Sequence, residues 1–98
     1  MQVKLENTTF TIGTNKEECF EAYATIKFQD GVIPENGVNG VQVDDVLGVA
    51  LLRLMQLNNI KPCRENSIAI TKIEEAMMWL AQRTKNRELR GVEGTNKD

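Results

Sequence analysis

Four residues near the end of the chain have the types and spacing for anion recognition: Trp79, Arg83, Arg87 and Arg90, in the run Trp79-Leu80-Ala81-Gln82-Arg83-Thr84-Lys85-Asn86-Arg87-Glu88-Leu89-Arg90. A guanidinium is planar, always charged, and offers paired N–H donors that match a phosphate or carboxylate edge. At about 100° per residue, a helix collects Arg83, Arg87 and Arg90 into one narrow arc. Trp79 stands one turn before Arg83, where indole and guanidinium can stack, and an aromatic beside arginines offers a seat for a base or a ribose. Cations gathered in one arc repel one another unless an acid or a bound anion lies between them, and Glu93 is the acid at hand. A second reading stands beside this one. Basic residues in the last turns of a helix offset the negative end of its dipole, and Gly91 is the residue type expected just past a helix end. The tail Gly91-Val92-Glu93-Gly94-Thr95 fits a frayed terminus. Its glycines would equally let backbone N–H groups point at a phosphate, with Thr95 closing the set of candidate contacts.

The means for catalysis are sparse. The chain has no histidine, so the commonest general base and the commonest metal ligand are missing. Cys19 and Cys63 have no imidazole to activate them, and no CxxC, HExxH, GxSxG or Walker-type loop occurs. The acidic pairs Glu17-Glu18, Asp44-Asp45 and Glu74-Glu75 are sequence neighbours whose members point apart on a helix, so each reads as cap, dipole partner or solvated face. We therefore expect a binding protein with no enzymatic activity, no metal and no cofactor. The two cysteines are too few for a disulfide framework and read as small buried or half-buried thiols in a reducing compartment.

A length of 98 residues bounds the rest: room for a single domain, 1–98, of modest stability alone, with self-assembly a possibility from the start. A net charge of −2 supplies no overall cationic field for a DNA backbone. The polar start Met1-Gln2-Val3-Lys4-Leu5-Glu6-Asn7 lacks the apolar core of a secretory signal, and no apolar run approaches the roughly 20 residues of a membrane span. A soluble, cytoplasmic protein is expected.

The elements that must position the arginines follow from periodicity. Val3, Leu5, Phe10 and Ile12 alternate with polar residues, as do Ala24 to Phe28, which reads as a small antiparallel sheet over about 1–42. Thr14 to Phe20 fits either an N-capped helical turn or a strand. Gly31-Val32-Ile33-Pro34-Glu35-Asn36-Gly37-Val38-Asn39-Gly40 is dense in turn formers and reads as a shaped loop. From about 43 to 95 the pattern is an α-helical hairpin, giving an α+β protein. Its first helix is capped by Asp44 or Asp45 and is apolar on nearly every side from Val46 to Leu57, more surface than one small sheet can cover, which argues for a subunit interface. Asn58 to Pro62 breaks the run. The second helix starts between Cys63 and Asn66 and runs to about Arg90, with Ala69, Ile73, Ala76, Met77 and Leu80 as its core seam. That seam continues into Thr84 and Arg87. The hairpin should pack on the sheet.

Phe28-Gln29-Asp30-Gly31, Gly37-Val38-Asn39-Gly40, Cys63-Arg64-Glu65-Asn66 and the long stretch from Trp79 to Thr95 together resemble the phage-encoded cyclic-nucleotide sponges, the anti-Thoeris proteins and their anti-CBASS relatives with a shared helical hairpin domain. The resemblance covers roughly Ala24 to Thr95. It implies a protein that sequesters immune second messengers without altering them: a cyclised ADP-ribose (gcADPR), a cyclic dinucleotide, or a cyclic trinucleotide in separate pockets of a hexamer built as a trimer of dimers. It implies ligand contacts at Asn66, Arg83 and Arg87. At Leu57 the chain departs from the family, which tends to place a base-stacking aromatic there. The turn from Leu57 to Pro62 is also one residue short, and Gly31-Val32-Ile33-Pro34 replaces a Gly-Pro pair. Two other readings stay open on the residues alone: an adaptor that docks an acidic partner on the same arginines, and a metal-dependent nucleotide hydrolase using Glu93 or Asp45.

Overall fold

The structure is a computed structural model and describes residues 1–91. The chain divides into two compact units, Met1–Gln42 and Val43–Asp98.

The first unit is a three-stranded antiparallel sheet, β1 (Gln2–Glu6), β2 (Thr9–Asn15) and β3 (Phe20–Lys27), in the order β1-β2-β3. The first hairpin closes over Asn7-Thr8, with Asn7 at φ 56°, a left-handed conformation that asparagine tolerates. The segment from Thr14 to Phe20, open to helix or strand by sequence, resolves as strand and turn, with the Lys16 amide donating to the Cys19 carbonyl at 2.7 Å. Pairing sets Val3 opposite Ile12, Leu5 opposite Phe10 and Phe10 opposite Ile26, so the alternating apolar positions share one face. Between Ile12 and Gly13 the register against β3 shifts, from Ala24 to Ala22, and leaves Tyr23 as the extra residue of a bulge. Gly13 is required there, because a Cβ would collide with the Glu21 carbonyl.

A hydrogen-bonded clasp shapes the loop after β3. The Gln29 side chain donates from Nε2 to the carbonyls of Gly31 (3.2 Å) and Gly37 (2.8 Å), and its Oε1 accepts from the Asn39 amide (3.0 Å). The Asn39 side chain in turn accepts from the Asp30 amide (2.8 Å) and donates to the Asp30 carbonyl (2.9 Å). Inside the clasp sits a single helical turn, α1 (Ile33–Asn36), opened by Pro34 and closed by Gly37 at φ 69°. Phe28 pairs with Val41 in a parallel bridge and meets Phe10 edge to face at 5.3 Å. Gly40 lies so close to Phe28 that a Cβ would strike the Phe28 carbonyl group.

The second unit is a helical hairpin, α2 (Val43–Ile60) and α3 (Arg64–Leu89). The helix α2 begins at Val43, so Asp44 and Asp45 stand in its first turn, against the positive end of the dipole, and not at the N-cap position expected for one of them. The hairpin turn is held by Asn58, whose Oδ1 accepts from the Cys63 amide (3.1 Å) and whose Nδ2 donates to Ser67 Oγ (3.4 Å). Cys63 caps α3, its Sγ accepting from the Asn66 amide at 3.4 Å. One expectation needs correction here, since both cysteines are exposed: Cys63 is a cap at the helix mouth and Cys19 belongs to the β2–β3 turn, so neither is a core thiol.

Among the described residues no apolar side chain is fully buried. Leu47, Leu51, Leu54 and Asn58 form the half-buried stripe of α2, at the alternating spacing of 4 and 3 that an antiparallel helix pair uses. On the opposite side of the same helix Val49 (69%), Leu52 (64%) and Ile60 (76%) stand in solvent, as the all-round apolar pattern led us to expect. Among the described residues, no helix is long and apolar enough to cross a membrane.

Candidate functional site

All but one of the described candidate contacts lie on α3 or at its C-cap, and the helix orders them along one seam. Asn66, Ile70, Ile73, Met77, Leu80, Thr84 and Arg87 are half-buried and recur at alternating intervals of 4 and 3. Ala69, Ile73, Met77 and Leu80 hold the seam positions assigned from sequence, whereas Ala76 turns out to be exposed. The apolar seam therefore begins at an amide, Asn66, and ends at a guanidinium, Arg87.

The three arginines differ in setting. Arg87 is half-buried, Arg83 one turn earlier is exposed, and Arg90 is exposed at the C-cap (φ −86°, ψ −4°), where its amide donates to the Asn86 carbonyl at 3.1 Å. A hydrogen bond from Gln82 Nε2 to Asn86 Oδ1 (3.0 Å) runs beside them. Trp79 is 62% exposed, and the expected stack with Arg83 does not form. Both side chains face solvent, where hydration of the guanidinium competes with the ring. Among the described residues the cation seated on a ring is Lys4, its Nζ 4.0 Å from the centroid of Phe20. Glu93 and Thr95 lie outside the described residues. Among those described, no group of His, Cys, Asp or Glu is placed to hold a metal ion.

The fold does not bring Asn66 and the arginines together within one subunit. Arg83 lies seventeen positions beyond Asn66 on one continuous helix, about 25 Å along the axis at ~1.5 Å per residue. Asn66 instead shares the turn end of the hairpin with Leu57, which is 38% exposed near the end of α2. Asn58 and Ser67 complete a polar cluster there that sequence reasoning passed over. The signal was present: Asn58 precedes the break, and Ser67 follows Asn66. Candidate contacts thus form two groups, an amide and hydroxyl group at the turn and a cationic group at the far end of α3.

A small antiparallel sheet followed by a long helical hairpin, with an amide at one end of its seam and arginines at the other, defines an α+β protein built around a hairpin module. Residues 21–85 match the family model described as Acb2/Tad1, hairpin domain, and the chain belongs to that family. The match takes in Leu57, Asn66 and Arg83 and stops just short of Arg87 and Arg90. A curated relative from Bacillus phage SBSphiJ7, named Thoeris anti-defense 1, is 51% identical over 74 residues, covering 74% of this chain and 52% of that protein. The chain spans about half the length of this relative.

Proposed function

We propose that this protein blocks a host anti-phage defence by sequestering a cyclic signalling nucleotide, without chemically changing it. The observation that carries the reading is Arg87, a half-buried arginine that ends an apolar seam, with Arg83 one helical turn away. Beside apolar surface that partly excludes water, a charge-assisted bond to a phosphate is stronger than in open solvent, and a pyrophosphate takes two such forks at once. Family membership and the anti-defence relative support the same reading. The ligand class is a cyclised ADP-ribose or a cyclic di- or trinucleotide, and the net charge of −2 argues against DNA.

The separation of the two groups along α3 gives the proposal its geometry. The span from Asn66 to Arg83, about 25 Å, exceeds the reach of one such ligand. A second copy running antiparallel would lay its Asn66 and Leu57 beside the first copy's Arg83 and Arg87, making two equal composite sites per dimer by symmetry. The exposed apolar face of α2, with Val49, Leu52 and Ile60, supplies surface for assembly, up to the hexamer of three dimers expected for the family.

The test is depletion and recovery. Purified protein is incubated with cyclised ADP-ribose, and separately with a cyclic dinucleotide and a cyclic trinucleotide, then the free ligand is measured by chromatography before and after heating. Loss of free ligand followed by return of the intact molecule is the expected result. Breakdown products would make the protein a hydrolase. Absence of depletion with all three would return the arginines to docking an acidic protein partner.

A further inference from the structure

The loop between β3 and α2 contains two Asn-Gly dipeptides, Asn36-Gly37 and Asn39-Gly40. Asparagine followed by glycine is the pair most open to succinimide formation, because glycine leaves its backbone nitrogen unshielded and its dihedrals free. By sequence the two are equivalent, but the fold treats them differently. Asn39 is half-buried, with Oδ1 and Nδ2 both bonded to the Asp30 backbone and its own amide bonded to Gln29. Swinging its Cγ toward the Gly40 nitrogen breaks two side-chain bonds, and Gly40 is pressed against the Phe28 carbonyl. Asn36 is exposed, and its side chain is held by the bond from Nδ2 to the Val32 carbonyl at 3.0 Å. Gly37 has open space where a Cβ would stand, its nitrogen donates to the Ile33 carbonyl at 2.8 Å, and its carbonyl accepts from Gln29 Nε2 at 2.8 Å. The bond to Ile33 closes a four-residue helix, a length that opens readily.

We propose that Asn36 is a site of spontaneous deamidation and that the Gln29–Asn39 clasp protects Asn39 from the same reaction. When the α1 turn opens, the Gly37 nitrogen attacks Asn36 Cγ. A bond forms between them, the Cγ–Nδ2 bond breaks, and the side-chain nitrogen leaves as ammonia with the proton from the Gly37 amide. Water then opens the succinimide at either carbonyl, giving aspartate or isoaspartate, with nothing oxidised or reduced. Either product loses the donor to Val32 and adds a negative charge at the carbonyl end of α1. Isoaspartate also lengthens the backbone next to Gly37, whose carbonyl anchors Gln29. The reaction loosens the clasp.

The experiment ages the purified protein at neutral to mildly alkaline pH, folded and in denaturant, and locates the amide-to-acid mass change by fragment-ion mass spectrometry. In the folded protein Asn36 should convert severalfold faster than Asn39, and in denaturant the two should convert at similar rates. Equal rates when folded, Asn39 converting first, no conversion at either, or the same preference in denaturant would each overturn the proposal. Gln29→Ala, checked as folded by circular dichroism, should raise the Asn39 rate severalfold while Asn36→Gln removes the early product. An unchanged Asn39 rate in folded Gln29→Ala would remove the protective role of the clasp.

Discussion

Arg87 and Arg83 carry the same charge in different surroundings, and this difference should appear in binding. A charge-assisted hydrogen bond contributes roughly 1.5–3 kcal/mol. Arg87→Ala should therefore weaken cyclised ADP-ribose binding by about tenfold to a hundredfold in isothermal titration calorimetry. Arg87→Lys keeps the charge but loses the planar fork, so it should recover only part of the loss. Arg90→Ala should change affinity less than twofold, because that residue is exposed at the C-cap of α3. A loss for Arg90→Ala as large as for Arg87→Ala would move the site outward to the helix end. The spacing of these residues was legible in the sequence; their unequal burial was not, because it depends on which face of α3 meets α2.

Two glycines separate backbone demand from mere tolerance at the scale of the elements. Gly40 has no room for a side chain against Phe28, whereas Gly48 lies within α2 with open space where its Cβ would stand. Gly40→Ala should lower stability by about 1–3 kcal/mol, the usual cost of forcing atoms into an occupied space. Gly48→Ala should raise it by about 0.5–1 kcal/mol, since alanine restricts the unfolded chain and favours helix. Chemical denaturation midpoints of the two variants decide this, and a stabilised Gly40→Ala would show that the close approach to Phe28 is soft. Removing the turn clasp with Asn58→Ala should cost about 1 kcal/mol and expose the α3 cap, measurable by thermal denaturation. The sheet, the two long helices and the α2–α3 break could be read from periodicity and from Pro62, whereas residues 14–20 fitted helix or strand and the α1 turn was hidden in a loop of turn formers. The α2 start could not be placed to the residue, because Val43 and Asp44 both fit a first turn and a helix boundary hinges on single hydrogen bonds.

For the whole molecule, a chain in which no described apolar side chain is fully buried is poorly provisioned as a monomer. Assembly is the expected remedy. Leu52→Asp, on the exposed face of α2, should shift light-scattering mass toward the monomer at micromolar concentration. Because the proposed site draws on two copies, the same variant should also lose ligand binding, although Leu52 is remote in sequence from Arg83 and Arg87. Full binding by a monomeric Leu52→Asp would defeat the composite site while leaving the arginine site intact.

By itself the sequence determined the sheet, the two long helices, the family and the cationic end of the last helix, because each rests on local pattern: strand alternation, helical spacing and an extended motif; the segment 14–20 and the α1 turn inside the loop needed the tertiary structure. The tertiary structure decided where those residues stand. It set Asn66 and Arg87 on one half-buried seam, yet put Asn66 and the arginines at opposite ends of a rigid helix. It also gave two identical Asn-Gly pairs different settings, Asn39 half-buried with two side-chain bonds to Asp30 and Asn36 exposed with one to Val32. The physical reason is common to both. Burial and hydrogen bonding depend on which distant residues the backbone brings near, and a local pattern carries no record of that.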